Sequence, residues 1–329
     1  MPYLSIVVAA RNDQYGGDFL GRMDRFLNVL FGIGRRLRLD AELIVVEWNP
    51  PPNRPRLSSA IEWERYRRRF PVRIIEVPAE VHTRFENSDV MPIHEYIAKN
   101  TGVRRSQGQF VLSTNPDLLY SKPLLRFLAE LNLSETSFYR VDRLDIREPL
   151  PSGSPEKQLR FCARHVWRVN TRGTSVVLDP QIAHASRWRR PHPVQVAPKP
   201  LDPTASAASR YHTNAAGDFL LMHRERWEQL HGYPEFPTSG HTDGYLCIAA
   251  AASGLTEVAL PTELCVYHQE HDRAIDWWDT STATRPITRL EIFEQDAHEM
   301  LTRRQPKLVN DANWGLGDVS LIETGVDPR

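Results

Sequence analysis

The chain has 329 residues and a mass of 37.8 kDa, room for one large α/β unit or a domain with an appended subdomain. With 41% hydrophobic and 25% charged residues, its composition excludes a collagen, a coiled coil and wholesale disorder. Its 41 Lys and Arg balance its 41 Asp and Glu, so no global field draws it to nucleic acid or to an anionic membrane. Three widely spaced cysteines, Cys162, Cys247 and Cys265, oppose a disulfide framework or a cysteine zinc site and suit a reducing, cytoplasmic setting. The first apolar run meets charge at once and has no basic segment before it, which reads as a buried strand and not a signal peptide. No run approaches the roughly 20 apolar residues of a membrane span.

Leu4 to Ala10 is continuously apolar and rich in β-branched residues, as in a strand buried on both faces of a parallel sheet. Apolar residues at helical spacing then run from about Asp18 to Leu37, and Leu43 to Glu47 gives a second buried strand. A Pro-rich turn, Pro50 to Pro55, leads to a charged helix from Ile61 to Arg69, and Val72 to Val77 forms a third strand. A helix from about Pro92 to Ser106 and a strand from Gln109 to Ser113 complete an alternation that predicts a doubly wound sheet. From residue 140 to 212 the periodicity fades among arginines and prolines, which predicts long loops with a mobile flap at about 184–212. Order returns with a strand and short helix from Gly217, an Ala-rich helix from Asp243 to Ser253, and short strands at Thr256–Pro261 and Leu264–His268. The last thirty or so residues read as an irregular wrap.

In an open α/β sheet, ligands bind beyond the carboxyl ends of the strands. Those positions hold Ala10-Arg11-Asn12-Asp13, Glu47-Trp48-Asn49 and Thr114-Asn115-Pro116-Asp117. Neither GxGxxG nor GxxxxGK[ST] follows the first strand, so phosphates must be neutralised by other means. Asn115 and Asp117 are oxygen ligands two apart, facing one side, and suit a divalent cation held against a diphosphate. Asp and Pro also build ordinary turns. Six of the twelve histidines fall between His212 and His271. His268 and His271, three apart after a short strand, are good ligands for manganese or zinc and could complete a site begun at Asp117. A plain hydrogen-bonding role is the alternative for either. The order His268-Gln269-Glu270-His271 excludes an HExxH zinc protease. Arg187-Trp188-Arg189-Arg190, in the Pro-rich flap, suits a phosphate or an acidic acceptor.

Taken together, LSIVVAARND, ELIVVEWNPP and NTGVRRSQGQFVLSTNPD resemble the nucleotide-sugar glycosyltransferases of the GT-A fold, in particular the family-2-like group. The later AAGDFLLMHRERWEQLHGYPE, HTDGYLCIAAAASG and VYHQEHD resemble that family's acceptor-side half, so the likeness covers about residues 1–125 and 210–275. It implies an α/β fold: a GT-A-type doubly wound, mostly parallel central sheet with helices on both faces, a loop-rich acceptor half and a C-terminal extension. The expected division is 1–125 for the nucleotide-sugar half, 126–275 for the acceptor half and 276–329 for an extension packed on the same domain. The implied donor is a nucleoside diphosphate sugar, a UDP-sugar for preference, with a divalent metal, Mn²⁺ or Mg²⁺, and a glycan or small-molecule acceptor. The family's Asp-x-Asp stands here as Asn115-Pro116-Asp117, which leaves Asp117 the better ligand.

The resemblance places Ala10, Arg11 and Asp13 along the nucleotide and makes Glu47 the carboxylate that accepts from the base or ribose. Trp48 offers a flat apolar wall beside it, and Arg105 and Asn115 join the donor side. Asp243 matches the position of the catalytic base in inverting members, with Glu235 in reserve. Asp243 also suits a helix cap. A non-catalytic sugar-nucleotide or glycan-binding module is the alternative. A nucleotidyltransferase is disfavoured, because no glycine-rich basic signature follows the first strand.

Overall fold

The computed structural model describes residues 1–66, 71–147, 149–178, 206, 208–271 and 286–326. Strand β1, Leu4–Ala10, is buried along its whole length, and its apolar side chains alternate between two cores. Leu4, Ile6 and Val8 face one, Val7 and Ala9 the other. That two-sided burial, about 1.5–3 kcal/mol for each large aliphatic side chain, is what an uninterrupted apolar run encodes. Helix α1, Phe19–Leu37, starts at Asp18, which accepts from the Gly21 N–H, and ends at Arg38 in the left-handed conformation. Strand β2, Ala41–Trp48, pairs parallel with β1. The charged stretch read as a helix from Ile61 begins instead as a four-residue helix α2, Leu57–Ala60, and a 3₁₀ turn, Trp63–Tyr66. Strand β3 is Val72–Val77, followed by α3, Ala79–His82, α4, Glu95–Arg104, and β4, Phe110–Thr114. Where α4 crosses the sheet, a Cβ on Gly102 would sit 2.5 Å from Val7 Cγ1, so only glycine allows that approach.

Beyond Asp117 the chain leaves this sheet. Strand β5, Leu118–Tyr120, and α5, Lys122–Ala129, are followed by β6, Ser137–Arg140, β7, Arg143–Ile146, α6, Pro155–Arg164, β8, Val166–Thr171, and β9, Thr174–Val177. The expectation of long loops from residue 140 is therefore corrected as far as residue 177. Strand β10, Phe219–His223, then leads into α7, Arg224–Gln229, and α8, Thr242–Ala252. Strands β11, Thr256–Ala259, and β12, Val266–Gln269, follow. The tail is not wholly irregular: it holds α9, Leu290–Arg303, and β13, Ile322–Val326.

The larger sheet has the order β11-β6-β10-β4-β1-β2-β3-β13, and the smaller β5-β12-β7-β8-β9. The centre, β4-β1-β2-β3, is parallel, with β10 and β13 antiparallel on its two sides. Helices α1 and α5 pack in one core; α4, α7, α8 and α9 pack in the other. This is the mixed, mostly parallel and doubly wound α/β architecture expected. Most of the anticipated flap, 184–205 and 207, lies outside the described residues, as do Arg187–Arg190. At its far end His212 is 1% exposed and packed on Asp142. No described helix is long and apolar enough to cross a membrane.

Candidate active site at the junction of the two sheets

The three-residue turn Asn115-Pro116-Asp117 carries the chain from β4 in one sheet to β5 in the other. Antiparallel pairing sets Leu118 opposite His268, and the Gln269 N–H donates to the Asp117 carbonyl at 3.2 Å. That register delivers Asp117, His268 and His271 to one point, with a ligand atom from each lying within 4.8 Å of the others. His271 Nε2 is 3.1 Å and His268 Nε2 3.7 Å from Asp117 Oδ2. The other carboxylate oxygen, Oδ1, is buried without a hydrogen-bond partner. Burial alone would raise the Asp117 carboxyl, but the His271 hydrogen bond and the electrostatic influence of His268, His271 and Arg22 outweigh it and hold the group below its ordinary range.

The loop after β1 closes over this cluster. Arg22, buried on α1, donates to the carbonyls of Tyr15 at 2.8 Å and Gly16 at 2.7 Å. The Tyr15 ring meets His271 edge-on at 5.2 Å. Gly16 has φ +62°, and a Cβ there would collide with the His271 imidazole, so glycine is required on two counts. Tyr15, Gly16 and Arg22 were missed in the sequence. The only signal was polar residues around paired glycines just past the first strand.

Charge continues inward from His268. Its Nδ1 lies 3.0 Å from Oδ1 of Asp145, which is wholly buried. Asp145 also contacts Arg143 at 3.0 Å, and its Oδ2 accepts from Arg168 and from Asn170 Nδ2 at 2.7 Å. Arg143 reaches Asp218 Oδ2 at 2.8 Å, and Asp218 Oδ1 accepts from Asn115 Nδ2 at 2.8 Å. Burial opposes each of these charges. The Asp145 carboxyl is nonetheless held well below its usual range by His268, Arg143 and Arg168, and Arg143 is held above its own by Asp218 and Asp145.

Beside this network opens a cleft of about 800 Å³, walled by Tyr15, Asn115, Asp218, Phe236, Asp243 and Phe293 among others. Asp243 is the second residue of α8, one past its first. The helix cap expected of it falls to His241, whose side chain makes no capping bond. Asp243 Oδ2 accepts from Gly217 N at 2.6 Å and Oδ1 from Gly244 N at 2.9 Å. Both bonds fix the carboxylate and leave further lone pairs on each oxygen.

The remaining expected site residues divide. Ala10, Arg11 and Asp13 lie at the carboxyl end of β1: Ala10 is buried, while Arg11 donates to Asn49 O at 2.7 Å and pairs with Asp13 at 2.5 Å. Glu47 is corrected as a base or ribose ligand. It is 1% exposed, and both its oxygens face the Leu57 N–H at 3.0 Å, with burial pushing its carboxyl up to about 7. Trp48 is corrected as a base wall, because it has no exposed surface and its Nε1 donates to His82 Nδ1 at 2.8 Å. Arg105 is engaged elsewhere, donating to the carbonyls of Gly315, Leu316 and Val319. Glu235 is not a free base in reserve. Its Oε1 accepts from Asn100 Nδ2 at 2.9 Å and Gly315 N at 2.7 Å, tying the C-terminal segment to α4. Asn115 does line the cleft, but its amide is engaged with Asp218.

No family model matches the chain, and no curated protein matches it by sequence. Solved structures do resemble it. GalNAc-T7 with UDP, GalNAc and Mn²⁺ aligns over 83% of this chain and 44% of its own, at 13% identity and a TM-score of 0.46. S. aureus TarS 1–349 in complex with UDP-GlcNAc aligns over 82% of this chain and 59% of its own, at 12% identity and 0.46. The catalytic domain of Drosophila β1,4-galactosyltransferase 7 with xylobiose aligns over 93% and 82%, at 12% identity and 0.39. The chain thus spans less than two thirds of the length of the first two.

Proposed function

We propose that this chain is a metal-assisted glycosyltransferase that moves a sugar from a nucleoside diphosphate sugar, UDP-sugar for preference, to an acceptor hydroxyl. The observation that carries the reading is the Asp117–His268–His271 cluster at a carboxyl-end turn, beside a cleft whose wall presents the fixed Asp243 carboxylate. The donor set suits Mn²⁺ or Mg²⁺: one carboxylate and two imidazoles, with a buried carboxylate oxygen that has no protein partner. A divalent cation held by these three residues would supply positive charge to the departing diphosphate.

The chain's own residues do the rest. Arg11 and Asp13 stand beside the nucleotide at the end of β1, and Tyr15 meets His271 edge-on. Asp243 accepts the acceptor's hydroxyl proton as that oxygen bonds to the anomeric carbon. The bond from that carbon to the phosphate oxygen breaks, and the diphosphate leaves with the electron pair. A base facing the acceptor on the side opposite the leaving group gives inversion.

The test is a panel of nucleoside diphosphate sugars, scored by melting temperature and by donor consumption with and without Mn²⁺. A ligand that binds only the native state raises apparent stability with its occupancy. UDP-sugars are expected to raise the melting temperature in a Mn²⁺-dependent way and to be consumed. A panel in which no nucleotide shifts the transition would remove the proposal, and binding without consumption would make the protein a sugar-nucleotide-binding module.

A further inference from the structure

The buried charges around His268 form a closed circuit. From Asp117 the contacts pass to His268, then to Asp145, Arg143, Asp218 and Asn115, which stands two residues from the start. The circuit joins the turn after β4, strands β12 and β7, and the segment before β10. Within it His268 is 5% exposed, and its two nitrogens face two different carboxylates, Asp117 on the Nε2 side and Asp145 on the Nδ1 side. His268 Nδ1 and Asp145 Oδ1 lie 3.0 Å apart as an ion-pair contact that is not aligned as a hydrogen bond, and neither atom has a hydrogen-bond partner in any other group.

We infer that Asp145 is a positioning residue: it holds the proton of His268 on Nδ1 and the ring in one orientation, so that Nε2 presents its lone pair beside Asp117. This rests on the metal-assisted reading above and adds to it the residue that prepares the ligand. A ring nitrogen binds a cation only where it carries no proton, and the group bound to the other nitrogen decides which one that is. The two arginines on Asp145 serve the same end. Asp145 is wholly buried and contacts Arg143 and Arg168, which pair with the carboxylate and fix it in place. Asn170 Nδ2, at 2.7 Å from Oδ2, adds a third hold on the carboxylate.

The circuit also accounts for Asn115, which stands where the resembling family carries a carboxylate. Its Nδ2 donates to Asp218 Oδ1 at 2.8 Å. A carboxylate at that point would meet another carboxylate, so the amide closes the circuit and Asp117 alone of the pair is left for a cation.

The experiment measures Mn²⁺ binding to the full chain without donor, by the electron paramagnetic resonance signal of free Mn²⁺, and the tautomer of His268 in the metal-free protein by ¹⁵N-histidine NMR. Asp145→Asn is expected to weaken Mn²⁺ binding about 10–100-fold, the range for groups that orient a ligand, and to lose the fixed Nδ1–H tautomer. Should that variant not fold, Asn170→Ala, which leaves the His268–Asp145 contact and removes one of the groups that hold the carboxylate, is expected to weaken Mn²⁺ several-fold with the same change in tautomer. Wild-type affinity and tautomer in a folded Asp145→Asn, or in Asn170→Ala where only that variant folds, would overturn the positioning role and leave the metal site standing. An unaltered chain that binds no Mn²⁺ would overturn the metal reading, and this one with it.

Discussion

Two strand ends of the same parallel sheet have opposite fates. Glu47-Trp48 closes β2 and Asn115-Pro116-Asp117 follows β4, and both are polar-tipped continuations of buried strands pointing the same way. After β2 the Pro-rich turn folds back so that the Leu57 N–H covers Glu47, while His82, Phe85 and His94 surround Trp48. After β4 three residues suffice to reach the second sheet. Asp117 keeps a carboxylate oxygen without a protein partner and meets two histidines. Position beyond a strand end thus does not by itself leave a side chain open to a ligand, and the length and path of the next connection decide the matter.

The most severe test lies on the cleft wall. Asp243→Asn removes proton affinity while keeping size, so turnover with the true acceptor should fall roughly 10²–10⁴-fold with donor affinity almost unchanged. Normal turnover in that variant would remove Asp243 from the mechanism. Next, Asp117→Ala should weaken Mn²⁺-dependent donor binding by at least about 10²-fold, beyond the range for groups that only orient a ligand. Calorimetric titration showing undiminished Mn²⁺-dependent affinity would erase the contrast between the two strand ends.

At the β2 end the expected signature is stability without function. Trp48→Phe leaves His82 Nδ1 without its donor, and an unsatisfied buried group costs about 1–3 kcal/mol. Denaturant unfolding should register that loss while donor affinity stays put, and a drop in affinity would return Trp48 to the nucleotide. The remaining effect belongs to Glu47 and is read against pH. Its folded-state carboxyl titrates near 7 instead of the ordinary 4.5, chiefly through burial. The group therefore favours the fold in its protonated form. Its contribution is complete below about pH 4.5 and is lost as the pH rises through about 7. Glu47→Gln should flatten the fall in melting temperature across that window, and an unchanged pH profile would show that Glu47 is not the titrating group.

Elements whose burial is apolar were legible in the sequence. Strands β1 to β4 and helix α1 announce themselves as uninterrupted runs or a broad stripe, and the Asp117 and His268 positions follow from where those runs stop. The second sheet was hidden for a physical reason. Its strands RLDI and VWRVNT bury Arg143, Asp145, Arg168 and Asn170 by pairing them with one another, and a reading by hydrophobicity takes such residues for loop. Helix α9 escaped because its buried stripe is only Phe293, Ala297 and Met300. The covering of Glu47 and Trp48 depends on backbone paths through residues 57 and 82–94, which no local pattern encodes.

Strand β13 carries a consequence for how the molecule is made. It pairs antiparallel with β3, and Arg73 meets Glu323 across that seam at 2.6 Å, joining segments 250 residues apart. On a ribosome delivering about 5–20 residues per second, β3 keeps one hydrogen-bonding edge bare until some 250 further residues have been made. An open edge of this kind invites pairing with other chains. The interval between synthesis of the third strand and arrival of the thirteenth is therefore when a nascent chain is most exposed to aggregation, and its demand for chaperones should be concentrated there.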